Sequence, residues 1–299
     1  MSSRGASVLL GLAVLLAPLA GACGATDNGG ALGPSRNPTG TTLAVGTLHS
    51  RLPAALARAN ALHVGVQPAD APYASAGGDG QSVGLDVDLL REIGRLLGVS
   101  VTFTAEAAPA LGAGLASHRL DVIAGGITDT ASARTAGAHF VDYLRGASAV
   151  LVRQGNPSHV SGVADLCGRR VGVVDPALTA PARVAAACAA KGRPVQLMGP
   201  LSTAALAAGL GGGQFDAVLE DSLMASYAAQ ASAPPVELAV LDGTSYPVLH
   251  GLGVLDVSLA PGLQAALEAM VSDGTYGRIL ARWGAQGGAL ASPSLDGGA

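Results

Sequence analysis

The chain has 299 residues, of which 49% are hydrophobic and 13% are charged, with a formal net charge of −4. This composition is typical of a globular protein and excludes a disordered one, and the length allows one large domain or two smaller ones. The acidic balance argues against a nucleic-acid partner, because no basic stripe is present to neutralise phosphates.

The N-terminal segment MSSRGASVLLGLAVLLAPLAGACG carries one charged side chain, Arg4, followed by an apolar run from Val8 to Ala20. This pattern predicts an export signal peptide over residues 1–22, since the run is too short and too weakly flanked for a membrane span. Cys23 directly follows LAGA, which resembles a bacterial lipobox. We therefore expect a lipid on Cys23 and anchoring to the extracytoplasmic face of the cell membrane. The alternative is a plain secretory signal with an incidental cysteine.

Segments of small and polar residues flank the part of the chain that can build a core. Residues 24–47 are mostly Gly, Pro, Thr and Asn, which predicts a flexible tether over 23–54. The C-terminal sequence GAQGGALASPSLDGGA has the same character, and it predicts a disordered tail over 285–299.

Between these segments, short apolar runs alternate with helical patterns. A helix is predicted at 86–98, with Asp86 as N-cap and Gly98 after its last turn, and another at 261–282, with a break near Gly274. Strands are predicted at 62–66, 101–103, 120–126, 146–155, 215–221 and 250–256, and a turn followed by a strand at 164–175. The alternation predicts an α/β fold with a mostly parallel sheet and helices on both faces.

Two cysteines, Cys167 and Cys188, remain if Cys23 carries lipid. In an exported protein such a pair can form a disulfide, and closing a loop of about 20 residues would contribute about 3 kcal/mol. We expect the disulfide; the alternative is two buried free thiols.

Polar residues follow two of the predicted strands at their carboxyl ends, where ligands bind in α/β sheets. The stretch DVIAGGITDTASAR places two glycines, hydroxyl groups and Arg134 after one strand. Glu220 and Asp221 follow another. The first arrangement is either an ordinary strand-to-helix connection or a cradle for an anion.

Six phrases in order resemble the type 3 periplasmic solute-binding proteins that supply polar amino acids to ABC importers. They are LHVGVQPADAPYA, GLDVDLLREIGRLLGV, DVIAGGITDTASARTAGAHFVDYL, VADLCGRRVGVV, GQFDAVLEDSLMASY and SDGTYGRILARWG. The resemblance covers residues 55–284, which is nearly all of the chain after the tether.

This resemblance implies a two-lobed, type II periplasmic-binding-protein fold, with a mostly parallel sheet and flanking helices in each lobe. Two crossing strands, near 146–151 and 244–250, would join the lobes. Lobe 1 would then comprise residues 55–147 plus 250–284, and lobe 2 residues 148–246. The ligand would lie in the cleft between them, where lobe closure buries it.

The resemblance also assigns roles to single residues. The guanidinium fork of Arg134 would bind the α-carboxylate of an amino acid, aided by the backbone of Gly126 and the hydroxyl of Thr128. The gap from Thr128 to Arg134 is one residue longer than the family's. Asp221 would pair with the α-ammonium. Each role has an alternative. Arg134 could be a solvated helix arginine, Gly126 and Thr128 could belong to a turn that simply needs glycine, and Asp221 could be the N-cap of a helix over 222–227.

Three further positions bear on the ligand's side chain. Glu220 matches a family position that contacts the side chain of the bound ligand. The alternative is a solvated acid at the end of a strand. Gln67 and Asp70 stand where the family usually has an acid and a stacking aromatic residue, and nearby Tyr73 matches a packing position. If Asp70, Glu220 and Asp221 all face the cleft, the ligand should bring positive charge, as arginine, lysine or ornithine does.

The predicted function is that of a monomeric, lipid-anchored binding protein that captures a polar amino acid and delivers it to an ABC permease. No metal is expected, since the six histidines form no i, i+4 pair, and no catalytic residue or cofactor is expected, since no G-x-S-x-G, P-loop or H-E-x-x-H motif occurs. Two alternatives stay open. One is an enzyme on the same fold, resembling cyclohexadienyl dehydratases, with Glu220 in acid–base work. The other is a lipoprotein that senses a ligand and signals to a membrane kinase.

Overall fold

The structure is a computed structural model that describes residues 44–174, 178–231, 235–241 and 247–298. The predicted signal peptide 1–22, the lipidation site Cys23 and most of the predicted tether lie outside the described residues. So do residues 242–246, where the second predicted crossing begins. No helix in the described part of the chain is long and apolar enough to span a membrane.

The described residues form fourteen strands and nine α-helices. The strands are β1 Ala61–Val66, β2 Ala69–Asp70, β3 Ala74–Ala76, β4 Ser82–Val83, β5 Ser100–Ala105, β6 Val122–Ala124, β7 His139–Gly146, β8 Ser148–Arg153, β9 Arg170–Val173, β10 Gln196–Met198, β11 Ala217–Asp221, β12 Val236–Leu241, β13 Val248–Val254 and β14 Ala289–Leu295. The helices are α1 Ala54–Ala59, α2 Leu85–Leu97, α3 Ala108–Ala116, α4 Ala131–Thr135, α5 Thr179–Ala190, α6 Thr203–Gly211, α7 Ser222–Ala231, α8 Ala260–Ser272 and α9 Thr275–Arg282.

Two mixed sheets carry the fold. The first has the order β14-β7-β13-β6-β1-β5, with β1 parallel to both β5 and β6, and β13 antiparallel to β6 and β7. The second has the order β10-β9-β11-β8-β12, with β9 parallel to β10 and β11. The chain passes from the first sheet to the second between β7 and β8, and it returns between β12 and β13.

Each sheet has its own hydrophobic core. The helix α2 follows the predicted pattern, since Val87, Leu90, Ile93 and Leu97 are all buried. It begins at Leu85 after Gly84, so the prediction of Asp86 as N-cap is wrong, whereas Gly98 ends the helix with φ +68° as predicted. The break near Gly274 is also confirmed, because it separates α8 from α9.

The second sheet packs against α5 through a core that includes both cysteines. The sulfur atoms of Cys167 and Cys188 lie 2.05 Å apart, and their Cα atoms are separated by 5.0 Å. This disulfide ties the last turn of α5 to the end of the short 3-10 helix Val163–Leu166, which precedes β9.

The C-terminal segment differs from the expected disordered tail. Residues Ala289–Leu295 form β14, which pairs antiparallel with β7 at the edge of the first sheet. The phenol oxygen of Tyr276 accepts the Leu290 N–H at 2.9 Å, and the Asp296 N–H donates to the Phe140 carbonyl at 2.9 Å. The composition predicted disorder because small residues bury little surface. The segment is ordered instead by backbone hydrogen bonds between β14 and β7.

Candidate functional site

The turn after β6 is held by a buried carboxylate in the first turn of α2. Asp86 Oδ2 accepts the N–H groups of Gly125 at 2.7 Å and Gly126 at 2.9 Å, and its other oxygen accepts the hydroxyl of Tyr143. Burial raises the pKa of Asp86, and these three hydrogen bonds oppose that rise because they favour the charged form. Asp86 therefore fixes the backbone of Gly125 and Gly126, the two glycines of the predicted anion cradle.

Close packing at Gly126 leaves no room for a side chain. Its φ is +70°, and a Cβ would lie 2.6 Å from the ring of Tyr73. Its carbonyl oxygen lies 3.0 Å from Nδ1 of His250. Two residues on, Thr128 forms a backbone bridge with His250, so the turn runs alongside β13.

Arg134 lies in α4, whose N-cap Thr130 accepts the Ala133 N–H at 3.2 Å. Its Nη1 forms an ion pair with the buried carboxylate of Asp129, and its Nη2 donates to the Gly298 carbonyl at 2.9 Å. The Gly298 N–H donates to Asp129 at 2.7 Å, which closes a three-residue cluster. The Arg134 side chain is 22% exposed, and both terminal nitrogens of its guanidinium have partners within the chain.

Asp221 is the residue at which β11 ends and α7 begins. Its Oδ1 accepts the N–H groups of Leu223 at 2.9 Å and Met224 at 3.2 Å, so it does serve as the helix cap. The same oxygen accepts the Tyr73 hydroxyl at 3.1 Å, and Oδ2 lies 3.2 Å from Nε2 of His250. Burial acts to raise the pKa of Asp221, but His250 and the two backbone donors outweigh it and the pKa is lowered.

Glu220, the residue before Asp221 in β11, is only 6% exposed. Its Oε1 accepts the Thr203 hydroxyl at 3.1 Å, while its buried Oε2 has no hydrogen-bond partner among the described residues. Burial raises the pKa of Glu220 to about 8; the Thr203 bond opposes the rise, and the charges of Asp221 and Asp70 add to it.

Asp70 brings a further carboxyl group from β2. Burial raises its pKa to about 6, the charge of Asp86 contributes to the rise, and a hydrogen bond from Gln67 opposes it. Because Asp70 also acts on Glu220, the two carboxyls lie within electrostatic range although their strands belong to different sheets. Within the described ranges, no group of three or more His, Cys, Asp or Glu side chains is arranged to hold a metal ion.

The predicted site residues thus fall into three groups. Gly126, Thr128 and Asp221 meet at His250. Gln67 hydrogen-bonds to Asp70, whose charge acts on Glu220, the residue next to Asp221. Arg134 lies at the end of the same turn, against the C-terminal residues.

Sequence reasoning missed four residues that build this site: Tyr73, Asp86, Asp129 and His250. The buried ring of Tyr73 fits its predicted place in the core, yet its hydroxyl reaches Asp221. One local signal was available for Asp129, because it lies within the spacing to Arg134 that is one residue longer than the family's.

Residues 62–286 match the family model described as bacterial extracellular solute-binding proteins, family 3. The chain belongs to this family. Among its relatives, the arginine-binding protein ArgT of Corynebacterium glutamicum is 26% identical over 253 residues, covering 81% of this chain and 80% of ArgT. The histidine-binding periplasmic protein of Salmonella typhimurium is 28% identical over 229 residues, covering 74% and 86% of the two chains.

Solved structures show the same architecture for this solute-binding protein. The ancestral amino acid-binding protein AncCDT-1, described as a precursor of cyclohexadienyl dehydratase, superimposes with a TM-score of 0.66. It shares 23% sequence identity, and the match covers 77% of this chain and 97% of that one. The two mixed sheets are therefore the two lobes of a type II periplasmic-binding-protein fold, and the contacts of Asp221 with His250 and Tyr73 lie where the lobes meet.

Proposed function

We propose that this protein is the substrate-binding component of an ABC importer and that it captures a cationic amino acid in the cleft between its lobes. One observation supports a positively charged ligand. The buried Oε2 of Glu220 has no hydrogen-bond partner among the described residues. A ligand cation at this oxygen would satisfy it.

Electrostatics support a cation and oppose an anion. Asp70 and Glu220 have pKa values raised to about 6 and about 8, so the ionised form of each is disfavoured by its surroundings. An ammonium or guanidinium group between them would stabilise both ionised forms, and bidentate hydrogen bonds favour the guanidinium. A ligand carboxylate at the same place would add repulsion.

The other end of the ligand is assigned to the turn after β6. In this proposal Arg134 binds the α-carboxylate, with the Gly126 backbone and the Thr128 hydroxyl beside it, and Asp221 takes the α-ammonium. Because Arg134 already pairs with Asp129 and Gly298, the ligand would share the guanidinium or displace the Gly298 carbonyl from it.

Relatives of this chain support an amino acid with a basic side chain. ArgT and the histidine-binding periplasmic protein are named for arginine and histidine, and both match most of this chain. The proposal extends to a lipid on Cys23 and to delivery to a membrane permease by a monomer. Its support is the LAGAC sequence and the family's extracellular role.

Comparing arginine with citrulline tests whether the protein recognises the ligand's charge or only its shape. The two amino acids are nearly isosteric, but only the arginine side chain is charged. We expect calorimetric titration of the chain from Gly24 onward, which lacks the predicted signal peptide and Cys23, to show arginine binding about 100-fold more tightly than citrulline. That ratio is the order expected for removing one partner of a buried ion pair.

The variant Glu220→Gln keeps the size of the side chain and removes its charge. It should reduce the preference for arginine over citrulline to about 10-fold or less. Equal binding of arginine, citrulline and glutamate by the unaltered protein would show that the ligand's charge is not recognised. Absence of binding to any amino acid would overturn the proposed function itself.

The enzyme alternative rests on one observation, the raised pKa of Glu220 at about 8, which would let it act as a general acid near neutral pH. We rank it second, because the same residue fits cation binding and because the family is one of binding proteins. Turnover of prephenate or arogenate by the purified chain, abolished by Glu220→Gln, would reverse this order.

A further inference from the structure

The imidazole of His250 lies between two hydrogen-bond acceptors. Its Nδ1 lies 3.0 Å from the Gly126 carbonyl oxygen, and its Nε2 lies 3.2 Å from Oδ2 of Asp221. A neutral imidazole has one N–H group and can donate to only one of them, whereas an imidazolium donates to both. Since His250 is 2% exposed, water cannot readily complete the missing bond.

The groups that face this imidazole favour its charged form. They are the carboxylates of Asp221 on β11 and Asp86 on α2; the ring of Tyr73, whose centroid lies 5.0 Å away, is an uncharged neighbour. Burial acts to lower the pKa of His250, but the hydrogen bond and charge of Asp221, the charge of Asp86 and the Gly126 carbonyl outweigh it and the pKa is raised. The ring is also closely packed, because a Cβ on Gly146 would lie 2.4 Å from Nε2.

The contact between His250 and Asp221 joins the two lobes. His250 belongs to β13 of the first sheet, and Asp221 ends β11 of the second. Tyr73, which precedes β3, adds a second bond to the same carboxylate. Asp221 therefore already has a partner in the opposite lobe, whereas the neighbouring Glu220 retains an oxygen without one among the described residues.

We propose that protonated His250 is an internal counter-ion of Asp221, which the ligand's α-ammonium replaces, so that ligand capture releases a proton from His250. This inference rests on the proposed function, because it assigns the α-ammonium to Asp221. The Nε2 proton passes to a buffer base, and no other bond is made or broken. Neutral His250 keeps its Nδ1–H bond to Gly126, and its free Nε2 lone pair can accept an N–H from the ammonium.

Two predictions distinguish this exchange from simple addition of the ligand. The association constant should rise with pH, by up to tenfold per pH unit below the pKa of His250 in the free protein. Calorimetry in buffers of different ionisation enthalpy should also detect the released proton. Glu220, whose pKa is about 8, would release a second proton on binding a cation, so the experiment must separate the two.

The test is arginine titration of four chains that begin at Gly24: unaltered, Glu220→Gln, His250→Gln, and the double variant. We expect Glu220→Gln to retain the release of a proton near neutral pH and the double variant to release almost none. Equal proton release by Glu220→Gln and the double variant would overturn the proposal.

Nitrogen-15 NMR of the histidine side chains gives a second readout on the unaltered chain, which does not depend on the folding of any variant. His250 should carry protons on both nitrogens in the free protein and on Nδ1 alone in the arginine complex. A neutral ring in the free protein, or an imidazolium that persists in the complex, would contradict the exchange. If no amino acid binds, the proposed function fails, and the state of His250 in the free protein still tests its pairing with Asp221.

Discussion

Gly126 is a residue at which backbone conformation and packing exclude a side chain together. Its φ of +70° is one that L residues rarely adopt, and the ring of Tyr73 occupies the space of a Cβ at 2.6 Å. Its N–H and carbonyl both have partners, Asp86 and His250, so the turn cannot shift without breaking one of them.

We therefore expect Gly126→Ala to lower the free energy of unfolding by about 3 kcal/mol, since backbone strain and a steric clash add. Urea denaturation measures this. Gly192→Ala is the matched control, because Gly192 has a similar φ of +67° and no atom within 4 Å of its added Cβ. The control should cost about 1 kcal/mol, and equal losses in the two variants would show that the clash with Tyr73 is relieved at no cost.

Single residues also mark the limit of what the sequence could predict here. The strand-end residues Gly126, Glu220 and Asp221 could be selected from local pattern and family resemblance. The roles of Asp86 and His250 could not, because their partners lie far along the chain. Asp86 binds backbone groups 39 and 40 residues away, and the Nδ1 of His250 binds Gly126, 124 residues away.

At the scale of elements, β14 shows how weakly composition predicts order at a sheet edge. The spacing of apolar residues predicted the bounds of α2 to within one residue, because the helix buries one face of large apolar side chains. In contrast, β14 fully buries a single residue, Pro293, and depends on hydrogen bonds to β7. Such bonds leave no local pattern in the sequence.

Deleting residues 289–299 should lower the free energy of unfolding by about 3 kcal/mol or more. The deletion removes the pairing with β7, and it leaves the carboxylates of Asp129 and Asp142 without the N–H groups of Gly298 and Gly297. Thermal and urea denaturation would measure the loss. An unchanged stability would mean that β14 contributes nothing to the first lobe.

A point substitution in β14 tests the same contact more gently. Ser294 donates to the buried Asp142 at 3.0 Å, whereas Ser292 is exposed and donates only to its neighbour Pro293. Ser294→Ala should therefore cost about 1 kcal/mol, and Ser292→Ala serves as its control with no measurable effect.

For the whole molecule, the ionisable groups at the lobe junction predict that stability depends on pH. The pKa of Glu220 is raised from 4.5 to about 8 and that of Asp70 from 3.8 to about 6, so the folded state loses stability as the pH rises through these ranges. The raised pKa of His250 acts in the same direction above pH 6.5. The lowered pKa of Asp221 acts oppositely, and only below pH 3.8.

The protein without an added amino acid should therefore be most stable in mildly acidic solution and should lose stability between about pH 5 and pH 8. Denaturant titrations across this range would measure the slope. Glu220→Gln should flatten it most above pH 6, where Asp70 has largely ionised. Stability that rises steadily from pH 5 to pH 8 would contradict the ionisation states assigned to the junction.

The position of Gly298 has a practical consequence for engineering. Gly298 donates to Asp129 and accepts from Arg134, so a fluorescent protein or purification handle fused there would begin beside the proposed carboxylate anchor. Signals from such a fusion would mix ligand capture with strain at the fusion point. The turn at Gly78 and Gly80, where an added Cβ meets no atom within 4 Å, offers a better insertion point for a reporter of lobe closure.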